Sequence, residues 1–320
     1  MKRFAMGKSA VNGVLRALGL GVGLSALGLS TLGLSTTGAL RAAELKPETL
    51  TAWDRYVQSA DSAMQARLRP GHSFLWIDEA PDRRRQLRGG EILTISADEH
   101  NPKKVPSGLI HHWVGAAFIP NAKLNDVLAV VRDYGHYKDY YNPTVIDSRT
   151  IRQAPEADRF STLLMNKAIF LKIALENECE SSYAQAGPGR WYSTATTVRV
   201  QEIEDYGRAG EHKLPSGEGS GYIWRLHGIN RYEEGDGGVY MEIEAMALSR
   251  EIPAAMRWAV DPIVRRVSKG SLVTSLRQTQ DAVGTSSRIA ARQSTAGQAS
   301  PIPIAIPALV SGFARQSGQH

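Results

Sequence analysis

GYIWRLHGINRYEEGDGGVYMEIEAMALSR, residues 221–250, carries the clearest strand pattern in the chain. Apolar residues occupy every second position on both sides of its Gly-rich centre: Tyr222, Trp224 and Leu226, then Met241, Ile243, Ala245 and Ala247. A period of two is typical of strands that bury one face. The glycines of EEGDGG permit the positive φ of a tight turn. We therefore predict an antiparallel hairpin with strands 221–232 and 238–250.

Further elements follow on both sides of this hairpin. Strand-like runs occupy 108–120, 169–176 and 191–204, whereas 121–141 has helical spacing and ends in the aromatic string DYGHYKDYY. Downstream, 253–283 predicts a long helix that begins after Pro253, with a break or kink at Asp261-Pro262 and at Gly270-Ser271.

This order predicts an α+β fold, in which a curved antiparallel sheet wraps around the long C-terminal helix. A sheet with one apolar face must bury it, and this helix is the large apolar element left to cover it. Small residues on the inward strand face, Gly115, Ala245 and Ala247, would leave space under the helix.

The segment before this domain, 44–107, predicts an N-terminal extension. Residues 46–69 repeat apolar positions at spacings of three and four, which indicates a helix that Pro70-Gly71 ends. FLWIDEAPDRRRQLRGGEILTIS (74–96) predicts a hairpin whose arginines (Arg83, Arg84, Arg85 and Arg88) form a solvated turn.

The two ends carry the positive charge of the chain. Of a net charge of +6, residues 1–43 contribute five basic side chains and 285–320 three, neither with an acid, so 44–284 holds 30 basic and 32 acidic residues. Such a balance does not predict nucleic-acid binding. Residues 285–320, rich in Ser, Ala, Gln, Gly and Pro, predict a disordered tail after a domain at 108–284.

The N-terminus predicts export. Lys2, Arg3 and Lys8 precede an uncharged stretch, 17–40, with small residues around Thr37-Gly38-Ala39 and Ala42-Ala43. We expect a periplasmic or secreted protein. Residues 1–43 serve as a cleaved signal, or 17–40 remains as an anchor that keeps the protein at the membrane surface.

DVLAVVRDYGHYKDYYNPTVIDSRTI (126–151) resembles the helix, aromatic turn and strand of START-type (SRPBCC) helix-grip domains, with Val145 to Ser148 matching the family's V-x-x-S. The hairpin 221–250 and the helix after Pro253 are also similar. The resemblance covers about 108–284. It implies a hydrophobic pocket between sheet and C-terminal helix that holds a lipid, sterol-like or polyketide-like molecule. The residues that we expect to line it are His111, Trp113, Tyr134, Tyr137, Tyr141, Trp224, Met241, Ala245, Met256 and Trp258.

The sequence carries no recognised catalytic or metal-binding motif. No GxSxG, phosphate-binding loop or metal-ligand spacing occurs, and we expect neither cofactor nor metal. His111 and His112 are adjacent on a strand and so point to opposite faces; the inward one could be a polar anchor or a general base. Cys179 lies between glutamates and is interpreted as structural.

Three functions stay open. A carrier of a hydrophobic molecule is preferred, because the sequence shows no convergent set of acid–base groups. A cyclase- or aromatase-type enzyme that uses pocket His and Tyr side chains is the alternative, and a structural envelope protein the third.

Overall fold

The computed structural model describes residues 43–168, 171–251 and 257–297. Its helices are α1 (Pro47–Arg67), α2 (Arg83–Arg88), α3 (Leu124–Val131), α4 (Tyr137–Tyr140) and α5 (Arg257–Gly297), with 3-10 turns at Trp76–Glu79 and Tyr134–His136. Its strands are β1 (Ala43–Glu44), β2 (Leu93–Ser96), β3 (Lys103–Val105), β4 (Gly108–Pro120), β5 (Val145–Arg152), β6 (Asp158–Ala168), β7 (Leu171–Gly187), β8 (Arg190–Glu204), β9 (His212–Lys213), β10 (Glu218–Gly219), β11 (Arg225–Gly235) and β12 (Gly238–Arg250).

One ten-stranded sheet dominates the molecule. Its strand order is β2-β4-β12-β11-β8-β7-β6-β5, with β3 beside β4 and β9 beside β8, and every pairing is antiparallel. The predicted α+β class, with a large antiparallel sheet and a C-terminal helix, is confirmed. The central hairpin closes at Asp236 and Gly237, whose φ values of 51° and 79° suit a two-residue turn between right-twisted strands.

The sheet has two covered faces, set by the strand register. On β4 and β12, odd-numbered residues such as Ala117 and Met241 face α5, with which α3 shares a core. Even-numbered residues such as Ile110 and Met246 face the N-terminal extension. We call these the C-helix face and the N-helix face. His111 and His112 divide between them, as the alternation predicts.

Helix α5 covers the C-helix face and runs without a break from Arg257 to Gly297, through Pro262 and Gly270. The helix is therefore not broken at Asp261-Pro262 or at Gly270-Ser271, where the sequence predicted a break or a kink. Leu272 and Leu276 are buried against the sheet, and this packing outweighs a single unfavourable glycine, which costs about 1 kcal/mol. The helix extends past Gly284, where the sequence placed the end of the domain, and 298–320 lie outside the described residues.

The N-terminal extension covers the opposite face. Helix α1 matches its prediction and buries Trp53 and Met64 against the sheet. The predicted hairpin at 74–96 is wrong, because the segment forms a 3-10 turn, α2 and only then strand β2. Arg84 lies on that short helix between Asp78 and Glu233, at 2.5 Å and 2.7 Å, so it is no solvated turn residue.

Residues 1–42, where the sequence predicts an export signal, lie outside the described residues. None of the helices in the described ranges combines the length and the apolar character needed to cross a membrane.

Candidate ligand-binding site

A row of small residues crosses the C-helix face of the sheet. Ala245, Gly228, Ala195 and Ser181 are cross-strand partners in turn on β12, β11, β8 and β7. We call these four the small-residue row. No large side chain rises from these four positions, so the row leaves a groove on this face.

Two glycines of this face show where α5 contacts the sheet and where space remains above it. A Cβ on Gly115 would lie 2.8 Å from Cδ1 of Leu276 and 2.9 Å from Cδ2 of Leu272, so α5 packs directly onto the sheet there. A Cβ on Gly228, in the small-residue row, would approach only the Glu244 carbonyl oxygen, at 3.9 Å. The helix therefore seals the sheet at Gly115 and leaves room at Gly228.

A cavity of about 90 Å³ adjoins the row. The residues around it come from the sheet, from the turn after α3 and from α5: Val131, Tyr134, Tyr137, Tyr141, Phe160, Ser181, Tyr183, Ala195, Asn230, Tyr232, Met241, Ile243 and Thr279. This volume is well below the ~300 Å³ at which drug-sized ligand sites begin. A cavity of this size can hold only part of a drug-sized molecule.

Tyrosine hydroxyls supply the polar groups of the cavity. Tyr137 and Tyr183 donate to the carbonyl oxygen of Val131, at 2.6 Å and 2.9 Å, and Tyr141 shares a 3.1 Å hydrogen bond with Thr279 on α5. Burial raises the pKa of Tyr141 to about 12 and that of Tyr137 well above its usual value. At neutral pH these phenols are therefore uncharged hydrogen-bonding groups on an aromatic wall.

Asp158 anchors this wall at the far end of the row. It is 1% exposed, is the strand partner of Ser181, and accepts hydrogen bonds from Tyr134 at 3.0 Å and from Arg132 at 3.1 Å. The Tyr134 ring stacks on Phe160 with 4.1 Å between centroids. This end of the site is rigid because each polar group has a partner.

Trp113 marks the other end of the row, beside its strand partner Ala245. Its indole Nε1 is buried and, within the part of the chain that the structure describes, has no hydrogen-bond partner. An indole N–H is a donor only, and a buried donor without an acceptor costs roughly 1–3 kcal/mol. A ligand oxygen at this position would satisfy it.

Exposure also differs along the face. Ala117 and Met241 are 0% and 1% exposed, whereas Trp113, Ile243 and Ala245 are only half-buried. Apolar surface thus remains uncovered at the Trp113 end.

The cavity brings together four of the predicted site residues: Tyr134, Tyr137, Tyr141 and Met241. Two more, Trp113 and Ala245, lie on the same face of the sheet. His111 also faces α5 but shares a 3.0 Å hydrogen bond with Ser249 outside the cavity lining. Burial lowers the pKa of His111 to about 4, which leaves it neutral at pH 7.

Trp224 does not belong to this site, which corrects the prediction. It precedes the first residue of β11 and is buried in the core of the N-helix face. Met256 lies outside the described residues, and of Trp258 only the backbone, within α5, is described. Cys179 is mostly buried, and burial raises its thiol pKa to about 12, in agreement with a structural interpretation.

Sequence reasoning missed the other nine residues of the lining: Val131, Phe160, Ser181, Tyr183, Ala195, Asn230, Tyr232, Ile243 and Thr279. The alternation along β7 could have indicated Ser181 and Tyr183. No local pattern identifies Thr279, because its role depends on where α5 lies on the sheet.

No protein-family model matches the chain, and no curated protein is similar to it at a significant level. Solved structures are similar in fold. A STAR-related lipid transfer protein from Xanthomonas axonopodis is 18% identical with a TM-score of 0.36, covering 56% of this chain and 96% of its own. Human STARD10 is 10% identical with a TM-score of 0.38 (70% and 91% covered). The Zhui aromatase/cyclase from Streptomyces sp. R1128 is 9% identical with a TM-score of 0.37 (55% and 94% covered). Similarity at this level identifies neither ligand nor reaction.

Proposed function

We propose that the protein binds one hydrophobic small molecule between the C-helix face of the sheet and α5. The observation that carries this proposal is the small-residue row, which leads from the half-buried Trp113 end to the tyrosine cavity. The apolar body of the ligand lies along Ala245 and Gly228. The classes that suit it are those implied by the sequence resemblance: lipid, sterol-like or polyketide-like.

Polar groups at both ends of the row orient the ligand. Trp113 Nε1 donates to a ligand oxygen at one end, and the tyrosine hydroxyls meet the other end. Apolar sites with few polar groups gain affinity from buried area and specificity from such placed hydrogen bonds. The preferred ligand therefore carries an oxygen function on an apolar skeleton.

Carriage is favoured over catalysis at this site. Among the described residues that line the cavity there is no histidine, cysteine, lysine or carboxylate, and the phenols are neutral. Uncharged groups of this kind recognise a ligand but offer no acid–base pair near neutral pH.

This function would take place outside the cytoplasm. The basic start and the uncharged stretch 17–40 support export, with attachment to the membrane surface if 17–40 is retained.

The test adds volume to the row. Ala245→Phe fills the groove, so we expect a folded protein whose affinity for cis-parinaric acid and dehydroergosterol falls at least 10-fold, measured by fluorescence titration beside a melting curve. Ala117→Phe is the matched control on the same face. Ala117 is 0% exposed, so overpacking there destabilises by about 1–3 kcal/mol. Unchanged probe binding by folded Ala245→Phe, or a wild-type protein that binds neither probe, would refute the proposal.

A further inference from the structure

A second and larger cavity lies on the opposite face of the sheet. It has a volume of about 410 Å³, within the usual range for small-molecule sites. Helix α1, the 3-10 turn at Trp76–Glu79 and strands β2, β4, β11 and β12 surround it, with the lining residues Tyr56, Ala63, Arg67, Trp76, His112 and Glu244 among them. The N-terminal extension thus builds a site that the sheet and α5 alone do not contain.

Three side chains of this cavity form a directed hydrogen-bond chain. Tyr56 Oη is 2.9 Å from His112 Nδ1, and His112 Nε2 is 3.0 Å from Glu244 Oε1. Burial raises the pKa of Tyr56 to about 12, so its oxygen keeps the proton at neutral pH and donates it to Nδ1. With Nδ1 accepting from Tyr56, His112 carries a proton on Nε2 and donates it to Glu244. The lone pairs of Tyr56 Oη are left as acceptors.

The histidine is held at both its backbone and its ring. Asn101 donates from Nδ2 to the His112 carbonyl oxygen at 2.8 Å and accepts from the His112 backbone N–H at 3.0 Å. The Tyr56 ring meets the imidazole edge-on, with 5.6 Å between centroids. Such fixed geometry favours proton transfer, because little reorganisation is needed.

Glu244 is kept ionised by its neighbours. Burial alone would raise its pKa, but the hydrogen bond from His112 and the charge of Arg231 lower it to about 2. Arg231, 2% exposed, bonds to Glu244 through Nη2 and to Glu242 through Nη1. A fixed carboxylate behind a histidine stabilises the imidazolium that forms when the ring accepts a proton.

The cavity wall favours an uncharged ligand. Its two cationic side chains are each paired with a carboxylate, Arg67 with Glu79 at 2.7 Å and Arg231 with Glu244. Alanine and valine side chains, including Ala63 and Val114, supply apolar wall between these pairs.

We propose that Tyr56, His112 and Glu244 form an acid–base site for a small uncharged molecule that carries a hydroxyl group. The ligand hydroxyl gives its proton to Tyr56 Oη, Tyr56 passes its own proton to His112 Nδ1, and the imidazolium pairs with Glu244. The ligand oxygen keeps the electron pair of its broken O–H bond. This site is separate from the one on the C-helix face, and neither proposal depends on the other.

The test measures how reactive Tyr56 Oη is. The purified protein is treated with phenylmethanesulfonyl fluoride, and modified tyrosines are located by peptide mass spectrometry. The tyrosine oxygen bonds to sulfur, fluoride leaves with the S–F electron pair, and the tyrosine proton passes to His112 and then to solvent. Tyr206, 39% exposed, is the internal reference. We expect Tyr56 to react at least 10-fold faster than Tyr206, because His112 takes the phenol proton as the O–S bond forms. This assistance outweighs the raised pKa and the lower exposure of Tyr56.

Two variants distinguish activation of Tyr56 by its neighbours from simple access of the reagent to Tyr56. His112→Gln and Glu244→Gln should each slow the reaction of Tyr56 at least 10-fold and leave Tyr206 unchanged, with folding checked by melting curves. Equal rates at Tyr56 and Tyr206 in the wild type would overturn the proposal even if neither variant folds. An unchanged Tyr56 rate in a folded variant would also overturn it.

Protection identifies the ligand class. Phenol should slow the labelling of Tyr56 more than anisole, which has the same ring without the hydroxyl proton, and more than benzoate, which is charged. Protection by anisole or benzoate equal to that by phenol would refute the assignment of an uncharged hydroxyl ligand.

Discussion

Arg231 and Glu242 stand directly opposite each other on β11 and β12 and form an ion pair, Nη1 to Oε1 2.7 Å, with 2% and 0% of their side chains exposed. Glu244, two residues along β12, bonds to the same guanidinium. Glu242 also accepts the backbone N–H of Trp76 at 2.8 Å, which ties the N-terminal extension to the sheet. One arginine thus holds two carboxylates between the two layers.

Removing that arginine should be costly. In Arg231→Met, two buried carboxylates lose their cation, and breaking a buried pair from one side typically costs about 3–5 kcal/mol. We expect a loss of this size in the free energy of unfolding, measured by urea denaturation. Arg85→Met is the control, since Arg85 is 73% exposed beside Asp82 and its loss should change stability by less than about 0.5 kcal/mol. A loss below about 1 kcal/mol in Arg231→Met would contradict this account.

Glu242 should make stability depend on pH. Burial raises its pKa from 4.5 to about 7 against the opposing charge of Arg231. The folded state therefore binds this proton more tightly than the unfolded state, so Glu242 contributes stability below pH 4.5 that is lost as the pH rises to about 7. We expect a loss on the order of 2–3 kcal/mol across this range.

Glu242→Gln isolates this effect, because it keeps the shape and cannot ionise. His111 acts in the opposite direction, since its pKa is lowered to about 4 and its contribution is lost as the pH falls from 6.5. The difference in stability between wild type and Glu242→Gln, measured at pH 4.5 and pH 7.5, removes the His111 contribution. A difference that does not change with pH would contradict the raised pKa.

Two glycines of the C-helix face should respond oppositely to added side chains. Gly115→Val places methyl groups against Leu272 and Leu276, so we expect a loss of about 1–3 kcal/mol by thermal or urea unfolding. Gly228→Ala meets open space and should leave stability unchanged or raise it by up to about 1 kcal/mol. A similar loss in both variants would show that no space exists over the small-residue row.

Export is testable in cells. With a C-terminal tag, we expect the protein outside the cytoplasm, because a basic start followed by the uncharged stretch 17–40 directs secretion. Cell fractionation with cytoplasmic and periplasmic markers is the measurement, and Lys2→Glu with Arg3→Glu should reduce export. Full-length protein in the cytosol of wild-type cells would show the prediction to be wrong.

The sheet could be predicted from two local patterns, the alternation of apolar residues and the turn sequence. The alternation in 221–250 and the Asp236-Gly237 turn depend on neighbours in the chain, so hairpin β11–β12 could be predicted without the tertiary structure. The same alternation placed His111 and His112 on opposite faces. It failed at Trp224, because β11 begins only at Arg225 and the strand alternation does not extend to Trp224, which packs in the core of the N-helix face.

Helix and loop segments were harder to predict. The charged segment RRRQLR at 83–88 is typical of a solvated turn, but its residues are good helix formers, and it forms a helix. Arg84 pairs with two carboxylates, and no local pattern predicts these contacts. Likewise α5 continues through Pro262 and Gly270. Next to Gly270, Leu272 and Leu276 are buried against the sheet and outweigh the local cost of the glycine.

The antiparallel sheet, the long C-terminal helix and the tyrosine-rich turn follow from local patterns, because period, turn residues and composition are properties of neighbouring residues. The side-chain contacts on each face of the sheet depend on the tertiary fold. Tyr56 bonds to His112 from 56 positions away, and Arg231 packs on Met64 from 167 positions away. These contacts exist because α1 folds back over the N-helix face, and no local pattern reports which face of a sheet a distant helix will cover.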